Sequence, residues 1–199
     1  MTDIAQAPQP EADAAEPARH IPGQPDIWVL VLFEALVFTA YLAVYLFHRS
    51  ASSGLFLRSQ SYLSPWLGTL DTVLLLTSSM FMLRCVQAAR AGLVRAATAN
   101  ACLTAVLGAA FAVSKITEWI LLVHGGHGFT ANEFFLYYFF LTGIHLLHLL
   151  IGFIALGVIV YQLRSPQRRS QEITETCAVY WHTVDLLWIL IFSLLYVVR

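Results

Sequence analysis

Residues 134–163 read FFLYYFFLTGIHLLHLLIGFIALGVIVYQL, with no acid, lysine or arginine anywhere in the run. About 20 apolar residues in helical form cross a bilayer. This stretch exceeds that, so it is expected to be a transmembrane helix that tilts or projects from the membrane. It lacks the alternating apolar and polar pattern of a membrane β-barrel.

Four further runs of the same kind lie on either side, at about Ile27–Phe47, Trp66–Ala88, Ala96–Val123 and Thr174–Val198. Ordinary break signals separate them: HRSASSG with SPWLG, RAGLVR, HGGHG and RSPQRRS. The expected fold is therefore all-α, a polytopic membrane protein of five transmembrane helices. Composition agrees, at 58% hydrophobic, 12% charged and a mean hydropathy of +0.69, where soluble domains are nearer a quarter charged. A net charge of −1 offers no basic surface for nucleic acid.

Residues 1–25 are rich in Ala, Pro, Gln and acids with no apolar period. They form an expected disordered leader, outside the five-helix domain 26–199. This leader lacks the basic start and apolar core of a secretory signal. Loop cations set the expected orientation. With the N-terminus cytoplasmic, Arg19, Arg90, Arg95, Arg164, Arg168 and Arg169 lie inside, and Arg49, Arg58 and Arg199 outside.

Ionisable groups inside a span are costly and mark function by default. Here they are Glu34, Asp71, Arg84, Lys115, Glu118, His145, His148, His182 and Asp185. Counting depth at about 1.5 Å per residue places Glu34, Arg84, His148, His182 and Asp185 in one expected inner cluster. Asp71, Lys115 and Glu118 fall in the outer half, with His145 between the groups. His145/His148, His182/Asp185 and Lys115/Glu118 are each spaced i, i+3 and share a helix face.

Lys115 and Glu118 read either as a local ion pair with the lysine snorkelling outward or as a helix-packing group. His148, His182, Glu34 and Asp185 could assemble a zinc or iron site, but hydrogen-bonded helix joining with a proton-handling role ranks ahead of a metal. HGGHG at His124–Gly128 reads as a turn, and FFLYYFF at Phe134–Phe140 as lipid-facing packing. Cys85, Cys102 and Cys177 read as small buried residues.

Four stretches taken together resemble the cytochrome c oxidase subunit III family. They are IWVLVLFEALVF with Glu34, ITEW with Glu118, FFLYYFFLTGIHLLHLLIG with His145 and His148, and YWHTVDLLW with His182 and Asp185. Their order and spacing are similar to that family across residues 20–198. Five spans correspond to a short bacterial form without the first two of seven. The stretch RHIPGQPDIW looks most like the accessory E subunit of nitric oxide reductase, and Lys115 three residues before Glu118 looks like the short bacterial forms.

The resemblance implies a non-catalytic subunit with no cofactor bound directly, haem and copper being held by a catalytic partner subunit. It implies support of proton uptake, of stability and of lipid or oxygen access, in the bacterial plasma membrane. Membrane lipids are expected partners, a structural phospholipid among them, and nucleic acid is not. Glu34 matches the family's buried glutamate, and His148, His182 and Asp185 match as well. A competing reading is a small proton-coupled transporter or channel along the buried ionisable groups; a third is a metalloenzyme using the histidines.

Overall fold

A computed structural model describes residues 23–198; most of the leader, with Arg19, and also Arg199 lie outside the described residues. The helices are α1 (Pro25–Ala51), α2 (Ser53–Gln60), α3 (Pro65–Arg90), α4 (Val94–His124), α5 (Glu133–Leu163) and α6 (Gln171–Phe192). A 3-10 turn at Pro166–Arg168 precedes α6, and a π turn at Ser193–Val197 extends it. All helices but α2 are long and apolar enough to cross a membrane, which makes five spans, as expected.

Local chemistry fixes the helix ends. Pro25 and Pro65 sit in the first turns of α1 and α3, where no backbone N–H is needed and φ is preset. The Asn132 side chain caps α5 by accepting from the Phe135 N–H at 3.1 Å. The tight turn between α3 and α4 needs Gly92, at φ +71°, a left-handed conformation that costs other residues more.

Helix α2 was not expected, because its residues read as a plain connection. An eight-residue helix has no stability of its own in water. It is held by Phe56, buried against Tyr45 and Phe134 with ring centroids 5.5 and 5.8 Å away.

Helices α3, α4, α5 and α6 pack as a four-membered ring, and α1 is attached at its edge against α6 and α2. The buried face of α4 is Ala97, Ala101, Thr104, Gly108, Phe111, Lys115, Glu118 and Leu122, spaced alternately by four and three residues. That is the seam of a left-handed helical bundle. Tyr138, Thr142, His145, Leu149, Gly152 and Leu156 continue the same rhythm on α5.

Without a hydrophobic force between helices in lipid, close backbone approach and interhelical hydrogen bonds hold the ring. Trp181 of α6 is the tightest point. A Cβ at Gly108 or Gly152 would come within 2.9 or 3.0 Å of its indole. The indole N–H donates to Ser78 Oγ at 3.2 Å, and Ser78 Oγ donates to the Thr104 carbonyl at 3.1 Å.

Two expectations are corrected. Phe134, Phe135 and Tyr138 of the aromatic run are buried rather than lipid-facing, because they stand on the seam side of α5. Of the cysteines only Cys85 is buried; Cys102 is exposed and Cys177 half-buried.

Candidate functional site

Buried ionisable groups gather at separate centres in the helical ring. The most enclosed surrounds Lys115, which α4 places on its seam beside Glu118; both, with Asp71 of α3, are 5% exposed or less. Lys115 Nζ lies 2.9 Å from Asp71 Oδ2, donates to Glu118 Oε2 at 2.6 Å, and donates to the Tyr196 hydroxyl at 3.0 Å. Glu118 Oε2 also accepts from the Tyr138 and Tyr196 hydroxyls at 2.9 and 2.8 Å.

The Trp188 ring lies 4.6 Å from Nζ, a cation–π contact, while its indole N–H donates to Thr72 Oγ1 at 3.1 Å. The Lys115–Glu118 pair thus ties α3, α4, α5 and α6 together. The snorkelling alternative is set aside, since Lys115 is fully buried and bonded across helices.

A second centre joins α3 to α6. Ser79 Oγ and His182 Nδ1 are hydrogen-bonded. The Asp185 carboxyl is within reach of the same hydroxyl but closes no well-formed bond. One helical turn fixes the His182–Asp185 spacing, while α3 supplies the third member.

A third centre joins α1 to α5. His148 Nε2 is 3.2 Å from Glu34 Oε2, and its Nδ1 is 2.8 Å from the Ile144 carbonyl. A carbonyl only accepts, so Nδ1 carries a hydrogen. The Nε2–Oε2 contact then needs one further proton, residing either on the imidazole or on the carboxyl. Side-chain exposures of 13% and 19% leave the pair open to the outside of the ring, unlike Lys115.

The single inner cluster expected from depth counting does not form. Glu34 with His148 and His182 with Asp185 are separate pairs on different helix seams. Arg84 points outward on α3, over the Phe81 ring at 5.8 Å. No three His, Cys, Asp or Glu side chains among the described residues form a group that could hold a metal. His145 wedges between Phe111 and Trp188, with ring centroids 5.3 Å from each, and neither ring nitrogen has a partner among the described residues. His127 of the HGGHG turn stacks on Phe135 at 5.1 Å.

Sequence reasoning missed Ser79, Tyr138, Tyr196 and Glu175. Glu175, 3% exposed, accepts from Arg90 Nε at 3.0 Å, from Gln171 Nε2 at 2.8 Å and from the Gly23 N–H at 3.4 Å. It anchors the entry to α1 and the end of α3 on α6. Its spacing of seven from His182 was the available signal, because two turns put both on one face. Nothing in the spacing alone singles out Tyr138 or Tyr196 from the other tyrosines.

With this geometry in view, comparison with known proteins is direct. A sequence model for cytochrome c oxidase subunit III matches residues 25–198. The chain is 29% identical to cytochrome c oxidase subunit 3 of Thermostichus vulcanus, over 89% of this chain and 90% of that protein. It is 28% identical to quinol oxidase subunit 3 of Bacillus subtilis, over 85% and 83%. A fused haem-copper oxidase subunit I+III of Aeropyrum pernix is 26% identical over 86% of this chain and 22% of the fusion. The matched region runs from the start of α1 to the residue after the π turn, so this five-span chain belongs to the cytochrome c oxidase subunit III family.

Proposed function

We propose that the chain is the non-catalytic third subunit of a respiratory haem–copper complex in the bacterial plasma membrane, beside a catalytic subunit that holds the haem and copper. The family match over all five spans carries this reading. The relative that fuses subunits I and III in one chain supports direct contact with that catalytic partner. Stable association with a haem-bearing protein in mild detergent is the test.

Within the complex, the Glu34–His148 pair serves proton uptake, since it is ionisable, shares one proton and is partly open. Glu34→Gln is expected to assemble with a stability change of about 1 kcal/mol or less, the net value of one hydrogen bond. Proton uptake by the reconstituted complex should slow by roughly 3- to 10-fold, equivalent to about 0.7–1.4 kcal/mol on the barrier. Equal uptake and equal turnover lifetime at equal assembly would remove Glu34 from the path.

The domain 26–199 lies with its N-terminus in the cytoplasm, supported by the cations at the Arg90–Arg95 and Arg164–Arg169 turns. Alkaline phosphatase fused after Arg199 is expected to be active and the same enzyme inserted at Gly92 inactive; the reverse pattern would invert the topology. A nitric oxide reductase complex is the second reading, favoured by the RHIPGQPDIW stretch. The haem type and acceptor of the copurified partner distinguish it from an oxygen reductase.

A further inference from the structure

Of the ionisable side chains deep within the spans, all but one are buried or half-buried. The exception, Arg84, is exposed on the outer face of α3, and no acid pairs with it among the described residues. Helix α3 ends at Arg90, which sets Arg84 about 9 Å into the span at 1.5 Å per residue.

A cation facing hydrocarbon at that depth is costly, and the ordinary remedy is to snorkel to the nearer headgroups. For Arg84 that means reaching toward Arg90. Its guanidinium lies instead over the Phe81 ring, 5.8 Å from the centroid. Phe81 stands one turn deeper, so the charge is turned away from the nearer interface, whichever side of the membrane that is.

The surrounding face is apolar. Val73, Leu76, Met80 and Leu83 are 43 to 54% exposed. With Gln87 they are spaced alternately by three and four residues, the rhythm of a packed helix seam. The ring takes the opposite side of α3, through Leu75, Ser78 and Met82, so this second seam is left exposed. Arg84 flanks it beside Met80 and Gln87, at the kind of position where paired helices form ion pairs.

We propose that this face of α3 is the docking seam for a transmembrane helix of a second protein, one that carries a carboxylate facing Arg84. A helix without an acid would cover the apolar stripe and leave the guanidinium unanswered within the span. A lipid phosphate lies on the side from which the guanidinium is turned. A second copy of this chain lacks the acid, since no acid beyond the first turn of a described span is exposed. The cofactor content of the partner does not enter the proposal.

The test uses the full chain in native membranes, with photoreactive benzoylphenylalanine in place of Leu76, Met80 or Leu83. Illumination is expected to join all three positions to one transmembrane segment of another protein, and sequencing of the joined peptide by mass spectrometry should find an Asp or Glu in it. Arg84→Gln should lower the yield by about tenfold, because truncating one member of a desolvated charge pair is costly, while the melting temperature of the purified chain stays unchanged. Arg84→Lys should keep most of the yield. Arg84→Glu should abolish it, and exchanging the partner's acid for Lys should restore it.

Adducts to lipid alone, to a second copy of this chain or to a segment without an acid would overturn the proposal, as would a yield that Arg84→Gln leaves unchanged. A captured protein without haem would keep the docking seam and remove the haem–copper reading. A haem-bearing partner that copurifies but joins none of these positions would do the reverse.

Discussion

Replacing Lys115 by Met is expected to cost about 3–5 kcal/mol of stability, the range for removing one member of a buried ionic cluster. The loss does not come mainly from the ion pair itself. It comes from leaving the Asp71 and Glu118 carboxyls where no water reaches them, at 0% and 5% exposure. Asp71 Oδ1 and Glu118 Oε1 already lack hydrogen-bond partners among the described residues, so Lys115 is what compensates their burial.

The triple change Asp71→Asn, Lys115→Met and Glu118→Gln should therefore recover most of the loss, because it leaves no unpaired buried charge. Thermal melting of the purified protein in one detergent reads both. A Lys115→Met protein that melts with the wild type, or a triple variant no better than the single one, would show that the centre is not structural.

Trp181→Ala is the second large effect, expected at about 3–5 kcal/mol for removing a fully buried indole. The ring is 1% exposed and fills the junction of three helices. Trp181→Phe keeps much of the ring but leaves Ser78 without the indole N–H, and should cost about 1–3 kcal/mol.

The two glycines supply an internal control. Gly108→Leu is expected to destabilise the wild type by about 1–3 kcal/mol through overpacking against the indole. In the Trp181→Ala background the same change fills the vacated space and should stabilise. Equal shifts in both backgrounds would mean that Trp181 does not occupy the space beside Gly108.

Why some of this was legible and some was not follows from particular residues. Five spans were readable because runs such as 134–163 carry no acid, lysine or arginine, and a bilayer leaves few alternatives for such a run. The i, i+3 spacings also survive, since they depend on one helix alone. Pairing between helices was not readable from depth. Depth counting groups residues by height and ignores azimuth, so it placed Arg84 with Glu34 although Arg84 faces outward.

The four-three rhythm through Ala97, Ala101, Thr104, Gly108 and Phe111 holds azimuthal information, and it runs straight into Lys115 and Glu118. Followed along α4, it puts the lysine inside the ring and argues against snorkelling. Ser79, Tyr138 and Tyr196 are a different case. Their importance arises only from what faces them across a seam, which one chain's spacing does not encode. Cys102 shows the converse: an apolar neighbourhood along the sequence lies, in space, on the wall of an open groove.

Membership in a haem-bearing complex is read out by purification under mild conditions. The chain, tagged at its C-terminus, is drawn from detergent-solubilised native membranes, and the haem content and partner chains of the eluate are measured. A stoichiometric haem-bearing subunit, with the haem spectrum eluting together with the tagged chain, is the predicted result. A folded, monodisperse chain that elutes without any haem protein would contradict it.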